Sequence, residues 1–172
     1  MSIDSYQFVL SQLLAGLALA IDIYAFSRKN RDDLLQFFAL ACFLGGLHFL
    51  ALGQLTAFCL VMITTVRVMV ARRYPQKRWA ALFLVIQSTT AWVTYRSPVS
   101  LLSFSGSFIG TIASFQPGLI RMRLLYLLAS SLWVVHNCLV WTPVGIVAEI
   151  VFIIANARAL RRDYLLMKSA TP

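Results

Sequence analysis

The sequence predicts an all-α polytopic membrane protein, with seven transmembrane helices arranged as three plus one plus three. Three observations carry that expectation. The chain of 172 residues is 60% hydrophobic and only 12% charged, with a mean hydropathy of +0.79, a balance outside that of soluble domains. Its apolar residues fall into runs of roughly 20, the length that crosses a hydrocarbon core about 30 Å thick. Lys and Arg, which leave a net charge of +9, gather in short clusters between alternate runs. No continuous basic face remains to suggest a nucleic-acid partner, whereas the positive-inside rule accounts for the clusters directly.

The first span runs from Gln7 to Phe26 and ends at the charged loop SRKNRDD. It has no basic flank before it and no cleavage pattern after it, so it reads as a retained helix and not a signal peptide. The second span, Leu34 to Leu52, carries Gly45, Gly46 and His48 towards its far end, and Gly53-Gln54 turns the chain into the third, Leu55 to Ala71. A second basic loop, RRYPQKR, closes the third span, and Pro75 stops the helix for want of an N–H. The fourth, Trp79 to Tyr95, holds the polar run Gln87, Ser88, Thr89 and Thr90 and gives way at Arg96-Ser97-Pro98. Serines and glycines from Ser100 to Gly110 dilute the fifth, Pro98 to Phe115. In lipid such small residues let helices approach backbone to backbone. The sixth begins after QPGLIRMR and reaches Trp141; the seventh runs from Pro143 to Leu160 and leads into RALRRDYLLMK. Trp79, Trp92, Tyr95 and Trp141 fall near span ends, where aromatic belts form.

The clusters set the orientation. Basic residues follow spans one (Arg28, Lys29, Arg31), three (Arg72, Arg73, Lys77, Arg78), five (Arg121, Arg123) and seven (Arg158, Arg161, Arg162, Lys168). The connections after spans two and six have none, and that after span four has only Arg96. An N-terminus outside and a C-terminus in the cytoplasm satisfy every loop.

The halves also resemble one another. Aligning Phe26 with Phe115 brings a basic loop next in both, then a span reaching Leu47-His48 in one and Val135-His136 in the other, then an uncharged turn, a helix and Arg-Arg. The chain divides into a first repeat over 7–73, a linker helix over 79–95, a second repeat over 98–162 and a short cytoplasmic tail over 163–172, all in one membrane domain. A single linker helix leaves both repeats in the same orientation, a parallel arrangement known among transporters.

The chemistry concentrates in the last hairpin, WVVHNCLVWTPVGIVAEIVFIIANAR, which holds His136, Asn137 and Glu149, the only glutamate in the chain. At a rise of 1.5 Å per residue, His136 and Glu149 stand about 8 and 10 Å from the Trp141–Pro143 turn, so they share a depth and could face each other. A charged side chain at the centre of a span costs roughly 2.5 to 3.5 kcal/mol to insert unless it is paired, protonated or facing a cavity. Glu149 either binds a proton or a cationic substrate, or hydrogen-bonds Ser130, His136 or Asn137 to fix the hairpin. Asp22, near the end of span one, reads as the local ion-pair partner of Arg28 or Arg67.

The combination of GLHFLALG, IGTIASF, SLWVVHN and a closing Gly145-xxx-Glu149 with Asn156 resembles the YgjV family of bacterial inner-membrane proteins, over nearly the whole chain. The second half is also similar to one unit of the SWEET and PQ-loop transporters. That resemblance implies substrate contacts at Trp133 and Asn156, a three-plus-one-plus-three fold and alternating access. His136 stands where those proteins usually have Tyr, the Pro-Gln pair is absent, and Thr64 or Thr65 replaces an Asn of the first unit, so sugar is not implied as the substrate.

The expected function is therefore a transporter or facilitator of a small polar solute in the bacterial inner membrane, with membrane lipid as its other partner. Its site would comprise His48, Trp133, His136, Asn137, Glu149 and Asn156, with Glu149 as carrier if a proton drives the cycle. A structural or accessory membrane protein is the alternative. No cofactor motif is present, and Cys42, Cys59 and Cys138 lie in apolar runs without metal-ligand spacing, so they read as packing residues. With no HExxH, GxSxG or Walker loop and no nucleophile beside the His and Glu, an enzyme is not expected.

Overall fold

A computed structural model describes residues 4–27 and 31–169. Over these residues the chain forms seven α-helices and no strand: α1 Ser5–Ser27, α2 Arg31–Ala51, α3 Leu55–Arg73, α4 Lys77–Thr94, α5 Val99–Ser114, α6 Leu119–Leu139 and α7 Pro143–Ser169. Arg28 and Lys29 of the first basic cluster lie outside the described residues. Helix α7 continues past the expected Leu160, because nothing between Arg161 and Ser169 breaks it. Among the described residues, α1, α3, α6 and α7 are long and apolar enough to cross a membrane, and α5 and the stretch Gln36–Ala51 of α2 are shorter apolar helices.

What lies inside and outside is the reverse of a soluble protein. The buried apolar residues are mostly alanines, including Ala15, Ala18, Ala41, Ala57 and Ala129, and they are accompanied by Ser11, Ser103, Ser107, Thr111, Gln87 and Asn137. Large apolar side chains such as Leu13, Leu17, Val85, Val93, Leu139 and Val147 point outwards. Such a surface would aggregate in water and is the expected one against acyl chains. Small residues inside allow close helix contact, so dispersion and interhelical hydrogen bonds hold the helices together where lipid offers no hydrophobic contrast. The larger apolar core is local, with Phe83 stacked on Phe115 beside Ala71, where α3, α4 and the end of α5 meet.

The helices associate in sequence. Helix α2 packs on α1 and α3, and α6 packs on α5 and α7; α3 meets α5, α1 meets α7, and α4 lies against α3 and α5.

Two of the turns are built alike. After α2, Gly53 takes a left-handed conformation (φ 67°), its N–H bonding to Leu50 O while Gln54 N–H reaches back to Phe49 O. After α6, Trp141 takes the same conformation (φ 54°), its N–H bonding to Cys138 O while Thr142 N–H reaches Asn137 O. Both are Schellman closures, which satisfy the last carbonyls of a helix. Glycine meets the left-handed requirement without strain, and Trp141 does so against the preference of a bulky residue. His48 and His136 precede these turns by the same spacing.

Candidate functional site: a cavity at the helix junction

Six of the seven helices, all but α4, line one cavity of about 190 Å³. It follows α6 from Tyr126 to Asn137, about 16 Å along the axis at 1.5 Å per residue. A volume of this order, with mainly apolar walls that carry a few polar and charged side chains, holds several waters or one small solute. Ala15, Ala18, Gly45, Gly106, Gly110 and Gly145 keep the walls thin, and Phe38, Phe49, Trp133 and Phe152 supply apolar surface. A Cβ on Gly106 would stand 2.8 Å from the Trp133 indole, so glycine is what lets that ring lie flat against α5.

Three charged side chains from three helices share this cavity: Asp22 of α1, Arg67 of α3 and Glu149 of α7. Ser130 lines the cavity with Asp22 and Glu149. Arg67, 3% exposed, sits near the Cys42 thiol and the Tyr126 hydroxyl. Its NH1 donates to Thr111 Oγ1 (2.6 Å) and Ser107 O (3.3 Å). Thr111 and Ser107 are in turn held by Gln87 of α4, whose Oε1 lies 2.8 Å from Thr111 Oγ1 and whose Nε2 donates to Ser107 Oγ at 2.8 Å. Helices α3, α4 and α5 are thus tied by one buried polar lattice, which accounts for Gln87 of the polar run in α4; Ser88 and Thr89 are exposed. Arg67 Nε and Asp22 Oδ1 are buried and have no hydrogen-bond partner among the described residues.

At the other end of the cavity the polar groups close on themselves. His48, 2% exposed, lies 2.8 Å from Ser11 O through Nδ1 and 3.2 Å from Thr142 Oγ1 through Nε2. A carbonyl can only accept, so Nδ1 carries the proton and the neutral ring accepts from Thr142 at Nε2. Gln12 completes the set, with Nε2 donating to Thr142 Oγ1 at 3.3 Å and Oε1 accepting from Val144 N–H at 3.1 Å.

The sequence matches a known family profile over most of its length. The profile named Imp-YgjV, described as bacterial inner membrane protein, covers residues 9–166. This chain belongs to the Imp-YgjV family. The inner membrane protein YgjV of Escherichia coli strain K12 is 23% identical over 159 residues, covering 92% of this chain and 87% of that protein. No solved structure matches the chain. The outward apolar surface and the family together make this a multi-pass protein of the bacterial inner membrane.

Of the six residues singled out in this Imp-YgjV sequence, His48, Trp133, Asn137 and Glu149 line the cavity. His136 and Asn156 are not among its lining residues. His136, 1% exposed, sits edge-on to Trp133 and Phe49 with Nδ1 3.3 Å from Asn137 Oδ1, so it buttresses the wall from behind. Asn156 donates to Arg123 O at 2.9 Å and accepts from Arg123 NH1 at 3.3 Å, next to an Arg123–Asp163 ion pair of 2.7 Å. The sequence expectation of a simple Asp22 ion pair is corrected on one side: Asp22 and Arg67 form no pair with each other, because Thr111 and Ser107 take the Arg67 NH1. Arg28, the other named partner, lies outside the described residues. Arg67 and Asp22 belong to the cavity and were not placed there from sequence. The signal that could have found them was available: each is a charge inside an apolar run.

Proposed function

We propose that the chain carries a small polar solute across the bacterial inner membrane through this cavity. The observation that supports it is the gathering of Asp22, Arg67 and Glu149 from three spans around one void. Charged side chains inside spans are costly and are retained on substrate and ion pathways. In this reading α1–α3 and α5–α7 are two parallel three-helix units, N-terminus outside and C-terminus in the cytoplasm, with α4 as the linker. Support comes from the matched Schellman turns after His48 and His136 and from the matched contacts of α3 with α5 and α1 with α7. The two units rock about the cavity, with Gln12, His48 and Thr142 as the outer closure. Glu149 is the proton carrier if the cycle is proton-coupled. Trp133 and Asn137 line the solute path, and His136 and Asn156 hold the walls that surround it. The protein is not an enzyme in this reading.

A structural or accessory role is favoured instead by one feature: the Arg67–Thr111–Gln87 lattice fixes α3, α4 and α5 firmly. Proteoliposomes decide between them. Vesicles holding the protein should take up a small polar solute faster than empty vesicles, with and without an imposed proton gradient, and Glu149→Gln should slow or uncouple that uptake. If a panel of cationic, anionic, zwitterionic and neutral solutes enters at the rate of empty vesicles, transport is ruled out and the accessory role stands.

A further inference from the structure

We infer that the cavity binds a small zwitterion, with its carboxylate on Arg67 and its ammonium on Asp22 and Glu149. This rests on the transport reading for its purpose, but the geometry that supports it is separate. Arg67 and Asp22 line one cavity, carry opposite charges and do not pair, and each keeps a buried polar atom without a partner among the described residues. An unpaired polar atom in low dielectric loses its hydration and gains nothing in return. A guest that supplies an acceptor to Arg67 and a donor to Asp22 completes both ends at once.

Charge selects among guests. An anion alone would satisfy Arg67 but add a negative charge to a cavity that Asp22 and Glu149 also line. A cation alone would suit the carboxylates and leave the guanidinium without its counter-charge. A neutral amide offers dipoles where the walls offer full charges, and charge-assisted bonds are roughly twice as strong as neutral ones. Only a molecule carrying both charges meets every wall. Ala15, Ala18 and Trp133 line the same void and give a short apolar side chain its place. Size, charge and the need for an N–H donor at Asp22 together indicate a small amino acid.

The test uses the full chain in detergent and four probes of nearly one shape: alanine, alanine methyl ester (cation), N-acetylalanine (anion) and lactamide (neutral), with binding measured by calorimetry. Alanine should bind most tightly. Arg67→Gln should weaken alanine and N-acetylalanine by at least about tenfold and leave the methyl ester unchanged. Arg67 also braces Thr111 and Ser107, so Asp22→Asn serves as the second variant; it should weaken alanine and the methyl ester and spare N-acetylalanine. The assignment is overturned if the methyl ester binds as well as alanine, if neither variant follows its charge pattern, or if no probe binds. Alanine bound with this pattern but not accumulated in proteoliposomes keeps the site and removes transport. Uptake of a neutral solute that alanine neither competes with nor binds alongside keeps transport and removes the zwitterion.

Discussion

The Thr142 hydroxyl and the His48 imidazole, 3.2 Å apart, join the residue that precedes α7 to the end of α2. Through Ser11 and Gln12 the same network reaches α1, so three helices from the two ends of the chain are fastened at one point. Thr142 can sit there because the turn before it closes with Trp141 in a left-handed conformation and Pro143 opens α7 at a position that needs no N–H. The hydroxyl has a second acceptor nearby, Gln12 Oε1 at 3.4 Å. Were His48 to take a proton, its Nε2 would cease to accept, and Thr142 would turn to Gln12.

Thr142→Val keeps the shape and removes the hydroxyl. His48 Nε2 and Gln12 Nε2 would then be left without that partner in a buried site, so we expect a loss of about 1–2 kcal/mol. Thermal unfolding in detergent should report this as a lower midpoint, and Thr142→Ser should recover most of it. An unchanged midpoint for the valine variant would mean the network does not fasten these helices.

Glu149→Gln tests the proton. Wild-type uptake should rise as the outside is made more acidic, because proton and solute enter together. The variant should transport at a rate indifferent to pH. Asp22 of α1, Cys42 and His48 of α2, Arg67 of α3 and Tyr126 of α6 face the same cavity. Residual pH dependence in Glu149→Gln that vanishes in Asp22→Asn would move the carrier to Asp22, and an unaltered profile in Glu149→Gln removes Glu149 from the role.

Much of the architecture was readable in advance, and the reason is lipid. A span must be long, apolar and internally hydrogen-bonded, so its position is written in composition alone. The turn before Leu55 and the start at Pro143 were legible for the same local reason, since Gly and Pro have few other uses there. The cavity was legible only in part. Glu149 stood out as a lone glutamate, but Arg67 was read as a partner for Asp22 because spacing along one helix does not tell which neighbour claims a side chain. Thr111 and Ser107 of α5 take its NH1, and no pattern local to α3 contains them. His136 and Asn156 illustrate the converse. Both are polar residues in apolar runs, yet the Asn137 side chain and Arg123 hold them away from the cavity lining.

Gly106 and Gly110 make a matched pair on α5. A Cβ on Gly106 meets the Trp133 indole at 2.8 Å and Ala129 O at 3.3 Å, whereas one on Gly110 meets only the Arg67 guanidinium at 3.6 Å, an ordinary contact. Gly106→Ala should therefore push the indole into the cavity or part α5 from α6, at about 1–3 kcal/mol for overpacking. Gly110→Ala should cost much less. Unfolding midpoints would show the difference, and solute affinity should fall only in Gly106→Ala. Equal midpoints for the two variants would show that the indole has room to move aside.

Asn156 separates a wall-holding role from solute contact. Its amide is used at both ends by Arg123, and Asp163 anchors the same arginine from the next turns of α7, so α6 and α7 are clasped near the basic cluster. Asn156→Ala removes two hydrogen bonds from a mostly buried site, an expected loss of about 1–2 kcal/mol. Asp163→Asn weakens ion pairs to Arg123 and Arg162 at a partly exposed edge and should cost under about 1 kcal/mol. If the clasp is all that Asn156 provides, its variant lowers the unfolding midpoint and the amount of folded protein while the KM for solute stays at the wild-type value. A raised KM with an unchanged midpoint would bring Asn156 into the solute path, which would require α7 to turn its cytoplasmic half towards the cavity during the cycle.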